Sequence, residues 1–389
     1  MTTTREQAGL SFELGEELAM VQGAARDFAD GVLMPLATKH DREAHIGDEV
    51  YQQLGELGFW GLTLPEEFGG AGMGSLALAI VLEELNRACA ATGVAVSVHN
   101  SLLCAPLMKF GTAAQKSRWL PKLATGECIG AYSLSEAASG SDAAALRATA
   151  RRDGDHWVLN GTKLWVTSGD RAGLFLTYVR TNPDAPKAKG ISAFLIPRDA
   201  PGVSIGKHEL KTGIRGSATT EVILDNVRLP ADAVLGEVDR GFPIAMDTLA
   251  GGRIGIGAQA VGIAQACLDA SVKYAQEREQ FGKTIGHFQA IQFKLADMSM
   301  KTEAARLLVR KAAWMRDRGL ECNRESSEAK LAASLAANYC ADEAVQIHGG
   351  AGYTDDFHVE RLFRDARITE IYEGASDVQR IVISRALLR

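Results

Sequence analysis

Apolar residues recur along the first part of the chain with the spacing of helix faces. In the first such segment they lie alternately four and three positions apart, at Leu14, Leu18, Val21, Ala25, Phe28 and Val32. This spacing predicts one amphipathic helix, which we expect Pro35 to end. Shorter stretches of the same kind predict further helices near 50–57, 75–90 and 113–124.

After Gly126 the pattern changes to short apolar runs separated by turn residues. Asn160-Gly161 lies between the runs Trp157–Leu159 and Lys163–Thr167. Asn-Gly accepts the positive φ angles of a type I′ turn, so a β-hairpin is predicted there. The spacing of the remaining runs is typical of a small antiparallel sheet or barrel. These runs predict strands at 174–179, 191–196, 203–205 and 219–224.

Helical spacing returns in the last part of the chain. One apolar face runs through Ile285–Met298, and the alanine-rich stretch 327–347 should end at Gly349. Ser376 and Gln379 have the spacing of a capping box, in which each side chain bonds the backbone of the other residue. This pair predicts the start of the last helix.

These patterns together predict an α+β protein that is mainly α. A helical N-terminal domain covers 1–126, a middle antiparallel β domain covers 127–232, and a helical C-terminal domain covers 233–389. Proline supports the last assignment, because Pro243 is the final one of ten and proline disrupts helix interiors. The order argues against an all-β protein and against a regular βαβ alternation.

Composition and charge narrow the classes of function. The 389 residues are 46% apolar with a net charge of −6, and no lysine and arginine run is present, so we expect no nucleic-acid partner. No run of about 18 apolar residues occurs, so we expect no membrane insertion. The polar segment Met1–Gln7 has no apolar signal core, which predicts a cytoplasmic chain of bacterial type.

Metal and nucleotide motifs are absent from the sequence. Six cysteines without a C-x-x-C motif predict free thiols, and eight histidines without zinc spacing predict no metal site. The glycine clusters at 70–72 and 350–352 lack the third glycine of G-x-G-x-x-G, and Glu277 replaces the first glycine of a P-loop. No G-x-S-x-G nucleophile motif occurs.

Four local groups of residues could carry chemistry, and two of them lie in the predicted β region. The loop 133–142 is dense in small and hydroxyl residues, which suits a polar ligand, although a serine turn has the same composition. Trp165 and Thr167 should share one face of a strand, where a flat heteroaromatic ring could stack beside a hydroxyl. A packed sheet tryptophan is the plainer alternative.

The other two groups lie between predicted helices. Arg278 could bind a pyrophosphate through two hydrogen bonds, or could be a solvated charge at a helix end. Glu373 stands between Tyr372 and Gly374 on a short connection. If the fold buries this carboxylate, its pKa rises toward neutrality, as a general base requires. The alternative is an exposed loop residue.

The four groups occur along the chain in the order typical of the acyl-CoA dehydrogenase family, which the sequence resembles over roughly residues 12–389. The motifs are most similar to those of the short-chain and short-branched-chain members. Six collinear stretches carry the resemblance: YSLSEAASGSD (132–142), NGTKLWVTSG (160–169), GIRGSATTEVILDNVRLP (213–230), EREQFGKTIGHFQAIQFKLADM (277–298), QIHGGAGY (346–353) and RDARITEIYEGASDVQR (364–380).

The resemblance implies the acyl-CoA dehydrogenase fold, with an N-terminal helical domain, a middle β domain and a C-terminal four-helix bundle. It implies FAD as cofactor and dehydrogenation of a short straight or branched acyl-CoA to trans-2-enoyl-CoA. Glu373 matches the base that removes the α-proton, while hydride leaves the β-carbon for flavin N5. The implied partners are an electron-transferring flavoprotein and further copies of the chain, in a homotetramer built as a dimer of dimers.

Binding residues follow from the resemblance by position. Arg278, Phe281 and Gln289 match residues that reach the FAD of a neighbouring subunit. The positions implied for FAD are Tyr132, Ser133, Leu134, Ser135, Ser141, Trp165, Val166, Thr167, Arg278, Phe281, Gln289, Gln346, Ile347, His348, Gly349, Gly350, Ala375, Ser376 and Asp377. The positions implied for substrate are Ser141, Ala250, Gly251, Gly252, Arg253, Tyr372 and Gly374.

Some positions depart from the family pattern. Ala137-Ala138 replace the usual Pro-Gly, so the loop could turn differently, and Ala375 replaces a threonine that would offer FAD a hydroxyl. Gly251 and Gly252 exclude the alternative place where some branches carry the base.

Two further hypotheses stay open. One is a glutaryl-CoA-type enzyme that decarboxylates its product, and the other is a non-catalytic flavin-binding homologue. An acyl-CoA oxidase is disfavoured, because 389 residues leave no room for its usual extra domain.

Overall fold

The computed structural model describes residues 13–388, so the polar segment Met1–Gln7 lies outside the described residues. The first part of the chain is helical, and helices lie at each of the stretches where apolar spacing predicts them. They are α1 (Glu16–Phe28), α2 (Met34–Glu43), α3 (Asp48–Glu56), α4 (Ser75–Ala88), α5 (Ala90–Val98), α6 (Ala105–Phe110) and α7 (Ala113–Thr125).

The first helix does not end at Pro35, so that prediction was wrong. A π-helical turn, Ala29–Leu33, joins α1 directly to α2, and Pro35 lies in the first turn of α2. Proline is tolerated in a first helical turn, because the N–H that it lacks needs no partner there. The chain turns away only at Ala44, which adopts a left-handed conformation.

A second π-helical turn, His99–Cys104, joins α5 to α6. The resulting stretch Ala90–Phe110 is long and apolar enough to cross a membrane by length and composition, with a mean hydropathy of 1.3. However, 89% of the tested window is buried inside the protein. Within the described chain this stretch is therefore a core helix, packed against α4 and against the long helix Gly241–Glu277.

The middle part of the chain forms a sheet with the strand order β6-β7-β3-β2-β4-β5-β8. Most neighbours are antiparallel, as predicted, but β1 pairs with β4 in parallel. The strands are β1 (Ile129–Ser133), β2 (Thr149–Asp153), β3 (His156–Thr167), β4 (Ala172–Arg180), β5 (Ile191–Pro197), β6 (Val203–His208), β7 (Thr219–Pro230) and β8 (Val234–Leu235).

The hairpin predicted at Asn160-Gly161 is absent, because strand β3 continues through both residues. Asn160 keeps a negative φ, whereas a type I′ turn needs positive φ at both central residues. Its side chain instead accepts a hydrogen bond from Asn226 N over 2.9 Å, beside a register shift in the β3–β7 pairing. Gly161 is needed for close approach, because a Cβ there would lie 2.5 Å from the Cβ of Ala148.

The last part of the chain is a helical bundle. Its three longest helices pack side by side, and α4 and α5 pack against α8, so the N-terminal helices and the bundle share one apolar core. A two-stranded hairpin, β9 (Glu279–Gln280) and β10 (Lys283–Thr284), connects α8 to α9. The helices are α8 (Gly241–Glu277), α9 (Gln289–Asp317), α10 (Asn323–His348), α11 (Val359–Arg367) and α12 (Ser376–Leu387).

Candidate active site

Glu373 lies on the short connection between α11 and α12. Its φ angle is +49°, and that of Gly374 is +97°. A glutamate in the left-handed region is strained by roughly 1–3 kcal/mol, so neighbouring contacts must hold it there. Two side chains do so at the Gly374 carbonyl, to which Lys330 Nζ donates over 2.8 Å and Gln379 Nε2 over 2.7 Å.

The capping box predicted for Ser376 and Gln379 is not formed. Ser376 is the first residue of α12 rather than its cap, and Ala375 occupies the N-cap position without a side-chain hydrogen bond. Ser376 Oγ donates instead to the Glu370 carbonyl over 3.4 Å. The Gln379 side chain does not bond the backbone at the cap, because its amide donates to the Gly374 carbonyl in the turn that carries Glu373.

The carboxylate of Glu373 points into the protein, although the residue as a whole is only half-buried. Its Oε2 atom is buried and has no hydrogen-bond partner among the described residues. Oε2 lies against the backbone of α8 at Gly252, where a Cβ would overlap it. Glycine at position 252 therefore makes the space that the carboxylate occupies.

Electrostatics give Glu373 the properties of a base near neutral pH. Burial raises the pKa of its carboxyl to about 7, while the positive charges of Lys330 and Arg253 oppose that rise. Both cations are buried, with exposed fractions of 0% for Lys330 and 7% for Arg253. Neither forms an ion pair within hydrogen-bond distance with any residue of 13–388, and Arg253 Nη1 donates to Ser327 Oγ over 3.4 Å.

Tyrosines complete the surroundings of Glu373. The Tyr372 hydroxyl donates to Gln259 Oε1 on α8, which fixes the residue preceding the base. Tyr132 of β1 is close enough for the Glu373 charge to help burial raise the pKa of its phenol. The Tyr132 hydroxyl is buried and has no hydrogen-bond partner among the described residues.

A small, partly open cavity of about 60 Å³ lies beside the same segment of α8. It sits between α4, the π-helical turn His99–Cys104 and α8, where Gly251 and Gly255 leave room. Arg316 of α9 reaches it, and its Nη2 would lie 3.0 Å from a Cβ at Gly251. The lining residues are Thr63, Ser75, Leu78, Ala79, Leu82, Asn100, Ser101, Ala105, Gly251, Ile254, Gly255 and Arg316.

The loop after β1 is tied to the sheet by a buried ion pair. Lys163 Nζ donates to Glu136 Oε1 over 2.6 Å and to the Leu134 carbonyl over 3.1 Å. The turn at Ala137-Ala138 is closed by two backbone hydrogen bonds of 3.0 Å between Glu136 and its partner across the turn, Ser139. The loop is therefore closed and anchored without the proline that the family usually has.

Predicted ligand residues on this loop differ in exposure. Ser133 Oγ is buried and has no hydrogen-bond partner in the described part of the chain. Leu134 is buried, Ser135 is half-buried, and Ser141 is exposed. The orphaned Ser133 hydroxyl lies on a segment that should face a cofactor. An unpaired buried hydroxyl is costly unless a ligand or water completes it, so the loop fits a polar ligand such as the edge of a flavin.

Trp165 and Thr167 are arranged differently from the regular strand that was assumed. The pairing shifts between Lys163 and Val166, and Trp165 has a φ of +60°, so strict alternation is broken here. Trp165 is nevertheless 60% exposed and Thr167 half-buried, while Val166 between them is fully buried. An exposed indole next to a hydroxyl fits a stacked heteroaromatic ring.

Arg278, Phe281 and Gln289 lie far from Glu373 and are exposed. Arg253 and Glu277 are 24 residues apart on α8, so about 36 Å of helix separates Arg278 from the active-site cluster. Because of this separation, Arg278 cannot contact a flavin ring that lies beside Glu373 of the same chain. This distance agrees with a role toward a cofactor held mainly by another copy.

Residues 346–350 share this far end with Arg278. The His348 ring stacks on Tyr274 of α8 with centroids 4.2 Å apart. Ile347 and His348 are buried, so their side chains serve packing and only their backbone could meet a ligand. Gln346, Gly349 and Gly350 are exposed.

Near Glu373, Ala375 and Ser376 are half-buried, and exposed Asp377 accepts from Arg380 over 2.8 Å.

The structure thus gathers five predicted positions around one carboxylate: Gly252, Arg253, Tyr372, Glu373 and Gly374. Ala250 and Gly251 immediately precede Gly252 on α8 and are buried. Sequence reasoning missed Lys330 and Arg316. The available signal for Lys330 was a lysine within an alanine-rich helix, three positions after Ser327. Its hydrogen-bond partner, the Gly374 carbonyl, is however 44 residues away.

Three family models match consecutive parts of the chain. They are the acyl-CoA dehydrogenase N-terminal domain at residues 15–127, the middle domain at 131–227 and the C-terminal domain at 239–388. The mouse mitochondrial short-chain specific acyl-CoA dehydrogenase is 49% identical over 379 residues, which are 97% of this chain and 92% of that one.

Two solved structures have nearly the same fold. Butyryl-CoA dehydrogenase from Megasphaera elsdenii is 40% identical, with a TM-score of 0.96 over 98% of this chain and 100% of that one. A chain from a structural study of the electron transferring flavoprotein of Acidaminococcus fermentans is 42% identical, with the same TM-score and coverage. These matches and the site agree, and the chain belongs to the acyl-CoA dehydrogenase family, as an FAD-dependent oxidoreductase that acts on acyl-CoA.

Proposed function

We propose that the protein dehydrogenates a short, straight or branched acyl-CoA to the trans-2-enoyl-CoA, with Glu373 as the base. The observation that carries the proposal is the buried, unpartnered Oε2 of Glu373, whose carboxyl has a pKa of about 7. A carboxylate in this state can accept a proton from a substrate carbon at neutral pH. FAD, when bound, is the acceptor for the hydride that leaves the β-carbon.

The chain's own residues position this chemistry. Gly252 leaves the space in which Oε2 can meet the α-carbon, and the Lys330 and Gln379 hydrogen bonds hold the Glu373 turn. We assign the indole of Trp165 and the hydroxyls of Ser133 and Thr167 to holding the flavin. The apolar residues around the site exclude water, which keeps the carboxylate unsolvated and basic.

The proposed preference for short chains rests on the cavity beside Gly251. Its volume of about 60 Å³ gives room for only a few water-sized groups, since one water needs roughly 10–15 Å³ measured in this way. A long acyl tail would have to displace α4 or the π-helical turn. We therefore expect butyryl-CoA to reduce the flavin faster than octanoyl-CoA.

Replacing the base with its neutral isostere tests the proposal directly. Glu373→Gln should keep FAD and acyl-CoA binding but lose nearly all anaerobic bleaching of the flavin by butyryl-CoA, because an amide cannot accept the α-proton. Glu370→Gln, three residues earlier, is the matched control and should bleach normally. Near-normal bleaching in Glu373→Gln would overturn the assignment of the base.

A glutaryl-CoA-type reaction is the second candidate, and Arg316 favours it. Its guanidinium lines the cavity, and its Nη2 lies 3.0 Å from where a Cβ on Gly251 would be. A terminal carboxylate of a dicarboxylic acyl-CoA could pair with it. Release of carbon dioxide from glutaryl-CoA, lost in Arg316→Met, would favour this candidate, and its absence with rapid butyryl-CoA oxidation would favour the first.

Partners are part of the proposal. We propose that an electron-transferring flavoprotein receives the electrons and that four copies assemble as a dimer of dimers. The separation of about 36 Å between Arg278 and the Glu373 cluster supports assembly, because one copy cannot use both ends for one flavin. Light scattering should give a tetramer, and reduction of the partner flavoprotein by butyryl-CoA should depend on this enzyme.

A further inference from the structure

Helix α10 carries a stripe of buried polar residues that faces the segment holding Glu373. Ser327, Lys330 and Ser334 each have 0% exposure, although buried positions of a bundle helix are normally apolar. They are spaced by three and four positions, and Asn338 follows four positions later, so all four lie on one face.

Every member of this α10 stripe bonds a group of the active site, of the connection that carries Glu373, or of the end of α11 just before that connection. Ser327 Oγ meets Arg253 Nη1 over 3.4 Å, and Lys330 Nζ donates to the Gly374 carbonyl over 2.8 Å. Ser334 Oγ is 2.7 Å from the Thr369 carbonyl, and Asn338 Nδ2 is 3.1 Å from the Ala366 carbonyl. The stripe fastens the connection that ends at Glu373 to a rigid helix.

Lys330 is the charged member of the stripe, and its position is costly. It is fully buried, and burial lowers the pKa of its ammonium to about 8, opposed by the charge of Glu373. A buried ammonium without a carboxylate in hydrogen-bond contact needs a reason beyond packing. Its one hydrogen-bond acceptor among the described residues is the carbonyl that follows the strained Glu373.

We propose that Lys330 is a positioning residue for the base, which holds the left-handed Glu373–Gly374 turn and supplies positive charge that keeps the Glu373 carboxylate ionised at working pH. The inference rests on the proposed role of Glu373. The other groups that face the carboxylate are Arg253 from α8, Tyr132 from β1 and the neighbouring Tyr372. Gln379 also holds the turn, but it carries no charge.

Three substitutions separate the hydrogen bond from the charge. Lys330→Gln keeps a donor but removes the charge, Lys330→Met removes both, and Lys330→Arg keeps both. Lys311→Gln, at an exposed lysine of α9, is the matched control. The titration of Glu373 is followed in the substrate-free holoenzyme by infrared difference spectroscopy, with Glu373→Gln identifying its band, and the pH profile of butyryl-CoA oxidation is measured in parallel.

Loss of the charge should raise the midpoint of the Glu373 titration by about one pH unit in both Lys330→Gln and Lys330→Met. Lys330→Arg should stay near the native midpoint. Above its new midpoint, Lys330→Gln should recover most of its kcat, whereas Lys330→Met should remain at least about tenfold slower because the turn is loosened.

An unmoved midpoint in Lys330→Gln would overturn the proposal, and so would a Lys330→Arg variant as impaired as Lys330→Met. Because the infrared titration needs no turnover, it tests Lys330 even if the native enzyme fails to oxidise butyryl-CoA. That failure would count against the proposed substrate alone. If Lys330→Met does not fold, the comparison of Lys330→Gln with Lys330→Arg still decides the role of the charge.

Discussion

The two ends of the bundle helices α8 and α10 differ in how their polar residues are satisfied. At one end Arg253 meets Ser327, and Glu373 lies buried between two helices within one chain. At the other end His348 and Tyr274 stack together, while Arg278 and Phe281 are exposed. Phe281 has an exposed fraction of 93%.

This difference separates two kinds of functional residue. The Glu373 end needs a shielded environment, because burial is what brings the pKa of this carboxyl to about 7. The Arg278 end has no such need, since an arginine that binds a phosphate must be accessible until its ligand arrives. The proposed base is therefore shielded within one chain, whereas the proposed phosphate-binding arginine is left accessible at the surface of that chain.

The largest expected effect comes from filling the space of the carboxylate. In Gly252→Ala the new methyl group would overlap Glu373 Oε2 and displace the base, so we expect kcat/KM to fall roughly 100-fold or more. Alanine favours helices, so folding should be retained. Gly23→Ala on α1, where a Cβ meets nothing within 4 Å, is the control. Native kinetics in Gly252→Ala would show that the carboxylate does not work from this position.

The next effect is on stability, and it follows from ionising a buried base. The folded-state pKa of Glu373 is raised from 4.5 to about 7, so folding favours its neutral form. Stability is therefore lost as pH rises from the unfolded pKa through about 7. Between pH 5 and pH 8 the native protein should lose about 2–3 kcal/mol relative to Glu373→Gln. Urea unfolding of both proteins at the two pH values measures this difference, and parallel pH dependences would contradict it.

Substitutions at the Arg278 end should affect cofactor binding and not the titration of the base. Arg278→Gln should weaken FAD binding about tenfold, the value of one charge-assisted hydrogen bond, and leave the pH profile of turnover unchanged. FAD titration of the apoprotein measures the first, with exposed Arg118→Gln as the control. A shifted pH profile in Arg278→Gln would break the separation between the two ends.

Local patterns predicted most of the helices and most of the strands, because burial of one face imposes its period on the sequence. Six short motifs were enough to single out Glu373 and its glycine neighbours as candidate site residues. The contacts that tune Glu373 were missed, since Lys330 reaches Gly374 across 44 positions and no local rule links them. The Asn160-Gly161 hairpin failed for a related reason, because packing against Ala148 requires Gly161 inside a continuous strand.

Capping chemistry shows both outcomes in one chain. Thr112 and Gln115 form a complete capping box at the start of α7, with hydrogen bonds of 3.2 Å and 3.0 Å. Ser376 and Gln379 have the required residue types but are displaced by one position from the cap, because Gln379 is used by the Gly374 carbonyl. Residue type predicted the helix start correctly, and tertiary contacts decided how it is capped.

The smallest predicted effect restores a cap where the base segment enters α12. Ala375 is in an extended N-cap conformation, with ψ of 157°, and has no side chain to accept from the helix backbone. Ala375→Thr should add such an acceptor and stabilise the protein by about 1 kcal/mol, which thermal unfolding can detect. Ser376→Ala should cost much less, because Ser376 already lies inside the helix and its 3.4 Å hydrogen bond is long. No stabilisation by Ala375→Thr together with a large loss of stability in Ser376→Ala would mean that Ser376, and not Ala375, acts as the cap.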